Sequence, residues 1–152
     1  MTPESANLFS LRRVTGALAG LVLSILLVGI VSGTPIRHLI QVVPGIIALS
    51  AAIRHLRWAA EAACPLFIIW LCLMSAIWMH LLGLAHLLSG QFTPIDNWLT
   101  IIIGICCLWG LVVTARAASS ASAARRWLVI AGFALLQLAA LWTSFHPLIA
   151  RH

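Results

Sequence analysis

The residues of this sequence able to do chemistry are six histidines, four cysteines and three acids, Glu4, Glu61 and Asp96. Nucleophilic catalysis needs a base oriented by a buried acid, and all three acids lie outside the long apolar runs. A proton or cation pathway usually places an acid within the membrane, so a pump or ion-coupled transporter is disfavoured. Histidine offers more. If the N-terminus is cytoplasmic, helix direction brings His38, His80, His86 and His146 toward the outer side. His86 and His146 then lie at similar depth on different helices. Two such imidazoles suit a b-type haem, or, with Met79, a copper ion. The competing reading needs no ligand, because a histidine near a helix C-terminus is stabilised by the terminal dipole. His80 and His86 stand about 120° apart around a helix, too far to hold one ion together.

The other polar candidates have quieter readings. Cys64, Cys72, Cys106 and Cys107 form no C-x-x-C pair and lie in apolar segments, which suits small buried hydrophobes better than a disulfide framework or a zinc ribbon. Glu61 follows Arg57 by four residues, the spacing of an interfacial ion pair. Asp96 precedes an apolar run and suits a helix cap or a turn.

These side chains must be positioned by apolar helices. The 152 residues are 62% hydrophobic and 8% charged, against roughly 25% charged for soluble domains. Apolar runs long enough to span a bilayer cover 14–31, 36–53, 62–88, 98–115 and 127–149, in one membrane domain. The first run exceeds the usual apolar core of a signal peptide, about 7–15 residues, so an uncleaved helix is expected. The second is the weakest, carrying Gln41 and Pro44-Gly45.

Charge tests the count. All nine basic residues are arginine, set in short clusters between runs, as membrane-orienting charge is and a nucleic-acid stripe is not. With five spans and the N-terminus inside, Arg12, Arg13, Arg54, Arg57, Arg116, Arg125 and Arg126 are cytoplasmic, and Arg37 and Arg151 are outside. Removing the second span puts most of them outside, against the positive-inside rule. The expected architecture is therefore an all-α bundle of five transmembrane helices, N-terminus cytoplasmic and C-terminus periplasmic, in a bacterial-type inner membrane. No inverted repeat is visible.

Packing faces follow from small and polar stripes, which turn inward in lipid. The third helix, expected to be central, carries Cys72, Ser75, Met79, Gly83 and His86 on one stripe, with Leu66, Phe67, Trp70, Leu73, Ile77, Leu81, Leu84 and Leu88 opposite. The fourth aligns Thr100, Gly104, Cys107, Gly110 and Thr114. Gln137 and Ser144 align on the fifth, and an amide near mid-span should face a partner helix. Gly83 and Gly104 are expected at helix crossings. The first helix holds two G-x-x-x-G pairs, Gly16/Gly20 and Gly29/Gly33, for packing within the chain or against a second subunit.

Three functions remain open. The first is an accessory or assembly subunit of a membrane complex, without catalytic machinery, packing against other membrane subunits or itself. The second is a redox protein holding haem b or copper through His86 and His146. The third is a lipid or small-solute carrier with a polar cavity from Gln41, Cys72, Cys107 and Gln137.

Overall fold

A computed structural model of the chain describes residues 3–84, 93–117 and 122–146. Among these it holds five helices and no strand: α1 (Pro3–Val31), α2 (Pro35–Ile53), α3 (Ala59–Leu81), α4 (Pro94–Arg116) and α5 (Ala123–Ser144). All five are long and apolar enough to cross a membrane, so the chain is a multi-pass membrane protein. α1 starts well before the apolar run, with Pro3 at its first turn, where a missing N–H costs nothing.

The first three helix ends share one device. After α1, the Gly33 N–H donates to the Ile30 carbonyl and the Thr34 N–H to the Gly29 carbonyl, with Gly33 at φ +68. After α3, Gly83 at φ +72 and Leu84 donate to His80 and Met79 in the same way. This is the Schellman arrangement, which needs a left-handed residue just past the helix. After α2 that residue is His55, at φ +55, with His55 and Leu56 donating to Ala52 and Ala51. A side chain there costs roughly 1 kcal/mol relative to glycine. Gly83 therefore ends the third helix, which the apolar pattern carries on to Leu88. α4 begins with a reciprocal cap: the Asp96 N–H donates to Thr93 Oγ1 at 3.2 Å, and the Thr93 N–H donates to Asp96 Oδ2 at 3.0 Å. Asp96 thus has the capping role its position suggests.

Four helices close on one another, and the fifth rides outside them. α1 packs against α2 and α4, α3 packs against α4 and α2, and α5 packs only against α2 and α3. α3 alone touches all four others, the central place expected of it. Consecutive α4 and α5 do not touch among the described residues.

The face of α3 is the reverse of the expected one. Leu66, Phe67 and Trp70 are buried, while Cys72, Ser75 and Met79 are exposed. The cause is shape. Lipid tails are as apolar as leucine, so fit decides which side turns inward. The small residues that allow close approach are Ala59, Ala62 and Ala63 in the first half of α3, all buried. Opposite Phe67 the room comes from α4, because a Cβ on Gly110 would run into the Phe67 ring. Ser75 donates to its own Leu71 carbonyl at 2.8 Å, so its hydroxyl is satisfied on the outer face.

The other small-residue contacts are specific. A Cβ on Gly20 would lie 2.8 Å from Cys106 Sγ, and one on Gly29 would lie 2.6 Å from His38 Cβ. Both glycines are consumed within the chain, at the α1–α4 and α1–α2 contacts. Gly16 and Gly104 face open space, so Gly104 is not at a crossing. Thr100, Ile103, Cys107, Gly110 and Thr114 are all buried, as the α4 stripe requires.

Candidate functional site

Buried polar side chains concentrate where α2 meets α5. Gln41 and Gln137 are 3% and 1% exposed, and Ser144 is fully buried. The Gln137 Nε2 donates to the backbone carbonyl of Gln41 at 3.2 Å. The Gln41 Nε2 donates to Ser144 Oγ at 2.9 Å, and the Ser144 hydroxyl donates to the Leu141 carbonyl at 2.7 Å. Gln41 lies six residues into α2 and Gln137 seven before the end of α5, about 10 Å from the helix ends at 1.5 Å per residue. Their antiparallel packing brings the two amides to one depth. Gln137 faces a partner helix, as expected.

The network is incomplete at one atom. Gln137 Oε1 is buried without a hydrogen-bond partner. One turn along α2, Pro44 has no N–H to offer the Ile40 carbonyl. Leaving an acceptor unmet in an apolar setting costs about 1–3 kcal/mol, while interhelical hydrogen bonds in membranes average about 0.6 kcal/mol. Gln137→Leu should therefore leave thermal stability in detergent unchanged or raise it, while Gln41→Leu, which takes the donor from Ser144, should lower it. If Gln137→Leu proves the more damaging, a donor must occupy the site at Oε1.

The end nearest this network carries further polar groups. Arg37 stacks its guanidinium 4.2 Å above the Phe145 ring, and such a cation held over a ring face is attracted to it. His38 Nδ1 lies 3.1 Å from Thr34 Oγ1 and 3.0 Å from the Thr34 carbonyl. Asp96, 6% exposed, stands within Coulombic reach of His38. The opposite end is rich in positive charge: Arg12, Arg13, Arg54, Arg57, Arg116, Arg125 and Arg126 are all exposed there. Glu61, at the start of α3, is buried at 6% exposure, one turn after the exposed Arg57.

The proposed ligand pair is not assembled among the described residues. His86 lies outside them, and His146 is exposed just past α5. No group of three His, Cys, Asp or Glu side chains able to hold a metal ion occurs among the described residues. The carrier residues divide: Gln41 and Gln137 meet, Cys107 is buried on α4, and Cys72 faces outward. All four cysteines are free thiols. Shared depth and antiparallel order are the only features of the sequence that link Gln41 to Ser144. Compared with protein-family models, curated proteins and solved structures, the chain finds no match.

Proposed function

We propose that this chain is an accessory or assembly subunit, which presents α5 and the outer stripe of α3 to another membrane-spanning helix. The observation that carries the reading is the reversed face of α3. Ile68, Cys72, Ser75, Met79 and Leu82 form an exposed line at helical spacing, between α4 and α5, which do not touch among the described residues. Small and slightly polar side chains favour helix association over lipid contact. α5 adds to this, burying only three residues where α2, α3 and α4 bury seven to nine. Trp142 on α5 is 84% exposed.

The test is crosslinking in native membranes through a photoreactive residue at Ser75, with a control at Leu23 on the exposed face of α1. Discrete adducts from position 75 and none from position 23 are expected. A doubled mass reports self-association, and any other mass a second subunit. Lipid adducts alone at both positions would overturn the reading.

The proposed placement is a bacterial-type inner membrane, N-terminus cytoplasmic and C-terminus periplasmic. It rests on the seven exposed arginines gathered at one end of the bundle and on the bias that retains such charge in the cytoplasm. Reporter fusions after Arg57 and after Ser122 should read cytoplasmic, and one after Gln91 periplasmic. A cytoplasmic signal at Gln91 would reverse the assignment.

A second reading, a small-solute carrier, draws support from the unmet Gln137 Oε1 beside Gln41. Its solute would offer a hydrogen-bond donor. The haem or copper reading rests on His86 and His146, with Met79 for copper, and an absorption spectrum with metal analysis of purified protein decides it.

A further inference from the structure

The exposed arginine end has a consequence beyond orientation. α5 lies in the groove of α2 and α3, and the Trp58 and Phe133 rings hold the start of α3 against α5 with centroids 5.8 Å apart. The α2–α3 turn, with Arg54 and Arg57, therefore adjoins the first turn of α5, with Arg125 and Arg126. Arg126 comes within Coulombic reach of Cys64 on α3. All four guanidinium groups are exposed.

Among the described side chains one carboxylate, Glu61, lies at this end, buried at the start of α3, and Asp96 stands at the opposite end. The charge on α5 also has the wrong sign for its position. Arg125 and Arg126 fall at the positive end of the helix dipole, where anions are favoured. There is no acid in that turn, and the Ser122 side chain makes no capping hydrogen bond. Retention of positive charge in the cytoplasm explains which side these residues occupy. It does not explain how four like charges coexist around one helix junction. Guanidinium is matched to phosphate by paired parallel hydrogen bonds, and phosphate is the anion available at headgroup depth.

We infer that the junction of α2, α3 and α5 binds anionic phospholipid, its phosphate held among Arg54, Arg57, Arg125 and Arg126.

The test uses the full chain in nanodiscs of phosphatidylcholine alone or mixed equally with phosphatidylglycerol. Retained lipid is read by native mass spectrometry after detergent exchange, and thermal stability is measured on the same samples. A basic residue at an anionic surface is worth about fivefold in binding. The natural chain should retain phosphatidylglycerol over phosphatidylcholine by more than about tenfold, with the preference falling as salt rises. Inorganic phosphate added to the phosphatidylcholine discs should not reproduce the stabilisation; if it does, the site takes free phosphate and the lipid assignment is wrong. Joint replacement of the four arginines by glutamine should abolish the preference, and Arg37→Gln at the opposite end should keep it. Because the glutamine variant loses orienting charge, a four-lysine variant serves beside it. That variant keeps the charge for insertion and should bind more weakly than the natural chain. Equal retention of both lipids by the natural chain overturns the inference without reference to any variant. So does equal loss in Arg37→Gln and in the lysine variant.

Discussion

Gly110→Leu should prevent α3 and α4 from closing, while Gly104→Leu should fold as the natural chain does. At position 110 even a Cβ would run into the Phe67 ring, which is itself fully buried. The ring has nowhere to go, since Leu66, Trp70 and Cys107 are buried in the same core. Overpacking of a filled interior costs about 1–3 kcal/mol, and more where backbones must separate. At position 104 an added Cβ meets nothing within 4 Å. The yield of monodisperse protein in mild detergent and its midpoint of thermal denaturation measure both. Gly110→Ala combined with Phe67→Leu should recover part of the loss, as expected for two residues in contact. Equal tolerance at 104 and 110 would mean that α3 and α4 do not meet at Phe67.

Phe67→Ala should be the most damaging truncation on α3, and Met79→Ala should be close to neutral. Phe67 is fully buried and Met79 is 45% exposed. Removing a buried phenyl ring leaves a cavity beside Gly110, where no other side chain can fill it, and such truncations cost about 3–5 kcal/mol in well-packed cores. Met79 lies on the exposed outer stripe, so its truncation leaves no cavity in this core. Thermal denaturation of the two variants in one detergent decides between the two possible faces of α3. If Met79→Ala is the worse, the small and polar stripe faces inward after all.

That contrast shows how far the amino-acid sequence can be read. The five helices are legible because each needs only an uninterrupted apolar run, and α2 runs Pro35–Ile53 where 36–53 is expected. The α4 stripe and the inward turn of Gln137 are legible too, since glycines at helical spacing and a deep amide leave few alternatives. The face of α3 is not. Its small and polar stripe points one way by polarity, but the choice is made by fit, at a hole on another helix, Gly110. Gly83 misleads for a related reason. A glycine within an apolar run reads as a packing residue, yet here its backbone adopts φ +72 and stops the helix. At the polar site, the sequence supplies Gln137 and Ser144 on one face of α5. Their meeting with Gln41 depends on which helix α5 chooses as neighbour, and chain order points to α4.

That α5 passes over α4 to lie against α2 and α3 bears on how the protein is made. Helices leave the ribosome in order, and none of the contacts among α1 to α4 needs α5. The two walls of the groove belong to helices made earlier, and the Gln41 amide gains its Ser144 partner only from α5. Until α5 arrives, that groove is open to any helix able to offer a hydroxyl at the right depth. The Gln41–Ser144 hydrogen bond therefore gives the chain's own final helix a polar match at one depth that an all-apolar helix lacks.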